Sequence, residues 1–155
     1  MRYLYSEIGK ILGLDRVHNM IFVGAGNLGQ AIANYTNFER RGFVIKGMFD
    51  INPKLIGLVI RGIEIRSVDD LESFIKENEI QIAALTIPKT KAPDIADRLV
   101  AAGIKAIWNF AHTDLVVPED VVVENVHLSE SLMRLSYRVC SMLDRDEKNE
   151  RTGSK

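Results

Sequence analysis

Four apolar residues, Met20-Ile21-Phe22-Val23, run directly into Gly24-Ala25-Gly26-Asn27-Leu28-Gly29, and Asp50 follows twenty-one residues after the last glycine. A buried strand that ends in Gly-x-Gly-x-x-Gly and continues as a helical pattern predicts a tight strand-to-helix turn. The first glycine permits the turn, the second lets a bound group approach the backbone, and the third lets the helix pack on the strand. The helix start adds unpaired N–H groups and the positive end of its dipole, a setting for phosphate. A second strand, over 43–49, leads to Asp50, whose carboxylate suits the hydroxyls of an adenosine ribose and repels a 2′-phosphate. Ile51 and Asn52 bring no cation to welcome that phosphate. Motif and context together predict dinucleotide binding, NAD(H) before NADP(H). The bland alternative is a glycine turn followed by an aspartate that caps the next turn.

The remaining pattern alternates strands with helices. Leu4, Ile8, Ile11 and Leu12 predict a short first helix closed by Gly13, and the first strand is expected over 19–23. Leu28, Ala31, Ile32 and Tyr35 mark one face of the helix after the glycine turn, with Tyr35 on the inward side. β-Branched residues around Gly62 predict a small extra strand or a bend over 58–66. Ser67-Val68-Asp69-Asp70 opens a helix that reaches Glu77. A buried strand over 80–87 stops at Pro88, and Pro93 suits the first turn of a helix whose Ile95, Leu99 and Val100 face inward. Gly103 ends that helix, and 105–110 and 121–126 read as two more strands. Such alternation implies an α/β, Rossmann-like, doubly wound parallel sheet.

Ligands in these sheets sit beyond the strand C-terminal ends. Thr86 and Pro88 at one such end offer a hydroxyl and exposed backbone to a phosphate or ribose, or simply punctuate the strand. Asn109, Phe110 and Ala111 end the next, where Phe110 either lies against a nicotinamide or closes the core. The hydroxyl of Tyr35 either senses the pocket or is satisfied within the core. His18, His112 and His127 have no metal-ligand spacing. In the last segment, Leu128, Leu132, Leu135, Val139 and Met142 follow a heptad-like seam, with Met133, Tyr137 and Cys140 beside it. That stripe is wider than one helix on one sheet edge needs, so a C-terminal dimerisation helix, perhaps exchanged with a second copy, is expected; folding back on its own domain is the alternative. The polar residues 144–155 are expected to be disordered.

Composition excludes several function classes. A net charge of −1 on 155 residues leaves no basic stripe for nucleic acid. One cysteine forbids an internal disulfide or a thiolate metal cluster. No apolar run reaches a membrane span or a signal-peptide core, so a cytoplasmic protein is expected. Hydride-transfer enzymes also need a substrate pocket and an acid or base over the nicotinamide. The chain has no Ser-Tyr-x-x-x-Lys pattern and little room for a substrate domain, so no catalytic residue is assigned and no enzyme is expected.

Several stretches resemble the Rex family of redox-sensing transcriptional repressors. They are Tyr3-Leu4-Tyr5-Ser6-Glu7-Ile8-Gly9-Lys10-Ile11-Leu12-Gly13-Leu14, the glycine turn through Ala31, Phe49-Asp50-Ile51-Asn52-Pro53, Leu85-Thr86-Ile87-Pro88, Asn109-Phe110-Ala111, and Val123-Glu124-Asn125-Val126 with Leu135-Ser136-Tyr137. The resemblance implies a Rossmann domain that binds NADH or NAD⁺ and a last helix exchanged within a homodimer. It also implies a winged-helix domain for operator DNA, from which NADH releases the dimer. Carried over, Gly24, Ala25, Gly26, Asn27, Leu28, Gly29 and Asp50 bind the dinucleotide, while Thr86, Pro88, Asn109, Phe110 and Ala111 line its pocket. Tyr35 takes the place of a tyrosine that reports the redox state. Two positions depart from the pattern: His127 stands where an acid is common, and His112 where a proline is. Both bear on redox discrimination, and Tyr35 with His127 form the expected switch. No winged helix is recognisable, so DNA binding by the chain itself is expected to be negligible.

The expected layout is a linker helix over 1–16, the NAD(H)-binding domain over 17–127, the dimerisation helix over 128–143 and the polar tail. The expected function is NADH/NAD⁺ sensing for a redox-responsive repressor. The rival readings are a small NAD(P)-dependent oxidoreductase, or another nucleotide-gated module such as a potassium-transport regulatory or CoA-binding domain.

Overall fold

The computed structural model describes residues 17–35 and 37–153. The linker helix expected over 1–16, and with it the Tyr3–Leu14 resemblance, lies outside the described residues. The chain divides into two compact units, one ending at Asn125 and one beginning at Val126.

The first unit is built on a seven-stranded sheet. Its strands are β1 (His18–Val23), β2 (Phe43–Asp50), β3 (Val59–Ile60), β4 (Ile63–Ser67), β5 (Ile82–Leu85), β6 (Ala106–Asn109) and β7 (Val122–Asn125). They lie in the order β3-β4-β2-β1-β5-β6-β7, and every neighbouring pair is parallel except β3 with β4. Without the antiparallel edge strand this is the doubly wound Rossmann order, whose direction reverses between β1 and β5. The expected extra strand around Gly62 is the β3–β4 hairpin, turned by Arg61 and Gly62, both at positive φ.

Successive residues of a strand face opposite sides, and both sides of this sheet are apolar. Ile21 and Val23 join Phe49, Ala83, Leu85 and Ile107 in one core, whereas Met20 and Phe22 join Met48, Ile65 and Ala84 in the other. The first core is closed by α3 (Leu71–Glu77), through Leu71, Phe74 and Ile75, and by α4 (Ala92–Ala101), through Ala96 and Leu99. Each of the larger side chains, Leu71, Phe74, Ile75 and Leu99, contributes roughly 1.5–3 kcal/mol by leaving water. α3 begins as predicted: the Ser67 hydroxyl accepts from the Asp69 amide at 3.2 Å and starts a 3₁₀ turn over Val68–Asp70. α4 ends at Gly103, φ 104°, where the amides of Gly103 and Ile104 return to the carbonyls of Val100 and Leu99. That pairing satisfies the last carbonyls and explains the glycine.

On the other face, α1 (Asn27–Ala33) and α2 (Asn37–Arg40) are short. The expected inward face of α1 needs correction. Its buried residues are the small Gly29 and Ala33, while Leu28 is 40% exposed and Tyr35, beyond the helix, is 55% exposed. Close backbone approach leaves room only for small residues, so the large ones lie at the margin. Tyr35 packs edge-on against Phe38, ring centroids 5.2 Å apart.

The second unit is one helix, α5 (Leu128–Gly153). The expected disordered tail is therefore helical as far as Gly153, with 154–155 outside the described residues. Its Asp, Glu, Lys and Arg are charged without being helix breakers, and Asp144/Lys148 and Glu147/Arg151 stand at the i, i+4 spacing that supports a helix. No residue of α5 is buried, and Leu128, Leu132, Leu135, Tyr137, Val139 and Met142 are all exposed.

Between α3 and α4, Arg98 donates to Glu72 from Nε at 2.6 Å and from Nη2 at 2.8 Å, and also reaches the Val68 carbonyl at 2.8 Å. The guanidinium hydrogen bonds hold the Glu72 carboxyl below its ordinary 4.5. A depressed folded pKa means stabilisation present above that value and lost as pH falls through the lowered one. Glu72→Gln is thus expected to destabilise by less than about 1 kcal/mol at pH 7, given the pair's exposure. The difference should shrink towards pH 3, as urea titrations at the two pH values will measure.

Candidate functional site

At the reversal point, β1 and β5 diverge beyond Val23 and Leu85, and the chain segments that leave them meet again through hydrogen bonds. The Thr86 amide donates to the Val23 carbonyl at 2.9 Å, and the Thr86 hydroxyl to the Gly24 carbonyl at 2.7 Å. Gly24, at φ 105°, lies so close that an added Cβ would be 2.3 Å from the Thr86 carbonyl oxygen. A Cβ on Gly29 would stand 2.2 Å from the Gly24 carbonyl oxygen. Two of the three motif glycines are therefore required by the protein's own packing. Gly26 differs, since a Cβ there would meet nothing within 4 Å. Its backbone is extended (φ −73°, ψ −166°), so any residue could adopt it. The protein alone gives no reason for a glycine at this position; an external group that must touch the backbone does.

Asp50 ends β2 beside this turn. Its Oδ2 accepts from the Ala25 amide at 2.7 Å and its Oδ1 from the Asn52 amide at 2.8 Å. The carboxylate is thereby fixed in direction, and each oxygen keeps a lone pair for a further donor. Gly26, as the residue before α1, supplies no side-chain cap, and Asn27 and Leu28 are exposed at the helix start. Gln30 instead donates to the Ala25 carbonyl at 2.8 Å. Amides at the turn are thus left to solvent or a ligand.

A cleft of about 570 Å³ is lined by Gly24, Gly26 and Asp50 and by Thr86 and Pro88. Farther along it is lined by Leu55, Val68, Ile87, Lys91, Asp94 and Ile95. The sequence reading did not assign these last residues to a site. Their common signal is position: each follows the C-terminal end of β2, β4 or β5, and parallel strands put those ends together.

The third strand end is arranged differently. Asn109 is fully buried, and its amide group donates to the Thr113 carbonyl at 3.0 Å and to Asn125 Oδ1 at 2.9 Å. Its own oxygen accepts from the Ala111 amide at 3.0 Å. Asn109 thus ties β6 to β7 and shapes the following turn, and Ala111 is buried behind it. The hydroxyl of Thr86 is likewise committed to Gly24. Phe110 lies against Trp108, centroids 4.6 Å apart, and Trp108, Phe38 and Tyr35 continue an edge-on file of rings. Tyr35 and Phe110 border one shallow, mostly apolar hollow of about 410 Å³. His127 belongs to the second unit, where its carbonyl accepts from the Ser131 amide at 3.4 Å. Among the described residues no group of His, Cys, Asp and Glu is placed to hold a metal, and no helix is long and apolar enough to cross a membrane.

Residues 15–113 match the CoA binding domain family. The chain is 62% identical over 136 residues to the redox-sensing transcriptional repressor Rex of Caldanaerobacter subterraneus subsp. tengcongensis, which covers 88% of this chain and 61% of that protein. The fold superposes on the crystal structure of RSP, a Rex-family repressor, in complex with β-NADH, with a TM-score of 0.87, 57% identity, and 94% of this chain and 70% of that one covered. The complex of RSP with β-NAD⁺ and operator DNA gives a TM-score of 0.86 at 57% identity, covering 96% and 69%. The chain belongs to the Rex family. It spans about three-fifths of the length of its curated Rex relative, and the Rossmann fold expected from the sequence is the one it adopts.

The two kinds of glycine separate in a stability measurement. Gly29→Ala is expected to cost about 1–3 kcal/mol, because backbone must move to admit the methyl group. Gly26→Ala should change stability by less than about 0.5 kcal/mol, its lower unfolded-chain entropy offsetting poorer capping. Denaturant unfolding of both variants measures the contrast.

Proposed function

We propose that this chain is the NADH/NAD⁺-sensing part of a redox-responsive transcriptional repressor that acts in the cytoplasm, and that it is a regulator with no catalytic residue. One observation carries the reading: the glycine turn holds a residue, Gly26, whose missing side chain serves no internal contact, beside a carboxylate already aimed by two amides. The dinucleotide's diphosphate lies on the backbone of Gly24, Ala25, Gly26, Asn27, Leu28 and Gly29, and Asp50 accepts from the adenosine ribose. Thr86 and Pro88 form the opposing wall. Asn109 and Ala111 hold the turn that presents Phe110 towards the nicotinamide end, where Tyr35 stands. Tyr35 and His127 form the redox switch. Support comes from RSP, a relative of the same fold crystallised with β-NADH and, separately, with β-NAD⁺ and operator DNA.

In this reading α5 is the dimerisation helix, exchanged between two copies so that its exposed apolar stripe is buried. Operator DNA is held by a winged-helix region, of which the described residues include none. NADH acts by population shift: it moves the dimer only as far as its affinity differs between the two subunit arrangements.

A thermal-shift titration should raise the melting temperature most with NADH, less with NAD⁺ and least with NADPH, and Gly26→Ala should abolish all three responses. Equal shifts from the three nucleotides would sink the reading. Leu132→Glu with Leu135→Glu is expected to convert a dimer to a monomer in sedimentation velocity, while an unchanged mass would remove α5 from the interface. The match to the CoA binding domain family supports a second reading, CoA in the same cleft. Competition between CoA and NADH for the chain decides between them.

A further inference from the structure

Beyond Asp50 the cleft becomes an apolar slot made by Leu55, Val68, Ile87 and Ile95, a surface suited to the flat face of a heterocyclic base. Two charged residues line the same cleft, Lys91 and Asp94, three positions apart at the start of α4 and therefore on one side of it. Both are exposed, and no side-chain hydrogen bond or ion pair with another described residue engages either. Asp50 is different, since two amides already hold it. A charged pair left unengaged on the rim of an apolar slot is available to the edge of whatever fills it.

The chemistry of the two groups selects that edge. A carboxylate only accepts hydrogen bonds and an ammonium only donates them. Adenine presents the complement side by side: the N6 amino group donates and N7 accepts. A 6-oxopurine presents two acceptors there, O6 and N7, and O6 facing a carboxylate is repelled. We propose that Asp94 and Lys91 are specificity-determining residues that read the base of the bound dinucleotide, Asp94 accepting from the adenine 6-amino group and Lys91 donating to the neighbouring ring nitrogen. This rests on the dinucleotide reading of the cleft and adds base selection to it.

Calorimetric titration of the full chain with NADH and with its hypoxanthine counterpart, in which a 6-oxo group replaces the 6-amino group and N1 carries a proton while N7 is unchanged, tests the assignment. The unaltered chain is expected to bind NADH about tenfold more tightly. Asp94→Ala should weaken NADH by about that factor and leave the hypoxanthine dinucleotide unchanged or tighter, bringing the two within about twofold. Asp94→Asn, whose amide offers a donor or an acceptor, should take both bases alike and serves if the alanine variant is unstable. Lys91→Met should weaken NADH while part of the preference survives, because Asp94 remains. Equal affinity of the unaltered chain for the two dinucleotides overturns the proposal, as does an equal loss for both in Asp94→Ala. Binding of neither by the unaltered chain overturns the dinucleotide reading itself and the base assignment with it.

Discussion

The bond between the Thr86 hydroxyl and the Gly24 carbonyl, 2.7 Å long, sits where the sheet changes direction, and the site is organised around it. It draws the turn after β1 against the end of β5, so tightly that neither Gly24 nor Gly29 has space for a methyl group. That closeness brings the start of α1 to the strand ends and aims its amides across the opening. The Ala25 amide then finds Asp50, and a second strand is locked to the turn. A crevice at a reversal point needs walls held apart by the sheet and a floor that a ligand can touch. Here the sheet supplies the first, and the backbone at Gly26, open within 4 Å, is free of internal contact where the second is needed.

Membership of the Rex family places these features in a protein whose relatives are named as redox-sensing transcriptional repressors. The candidate site is made of backbone amides, one fixed carboxylate, apolar walls and charged groups at a rim. These are devices for holding and selecting. The polar atoms placed deepest, on Asn109, are spent on Ala111, Thr113 and Asn125, and so fix the geometry of a turn. A buried amide with all its partners internal makes a rigid support.

Much of this was written locally in the chain. The glycine spacing, the acid at the end of the second strand, the serine before α3, the proline at the start of α4 and Gly103 at its end each act within a few residues, so each could be recognised without a structure. The boundaries of β1, β2, β5, β6 and β7 shifted by one or two residues, because strand ends are set by neighbours in the sheet. The misjudged features are those that depend on distant partners. Tyr35 continued an apolar periodicity, yet α1 stops before it, since the close approach at Gly29 leaves only small residues inside. The polar run over 144–155 suggested disorder by composition, although its charged residues are sound helix formers at supportive spacing. Lys91 and Asp94 carry no local mark of a site at all.

The sequence by itself determined the βα turn, the acid at the end of the second strand, the alternation that makes a parallel sheet and the family to which the chain belongs. Each of these follows from short-range stereochemistry or from periodicity. Only the tertiary structure decided which glycine the protein's own packing leaves open, that Thr86 and Asn109 turn their polar groups inward, and that Leu55, Val68, Lys91 and Asp94 line one cleft. Those outcomes depend on β1, β2, β4 and β5 ending at the same level of the sheet, a consequence of parallel pairing between segments tens of residues apart.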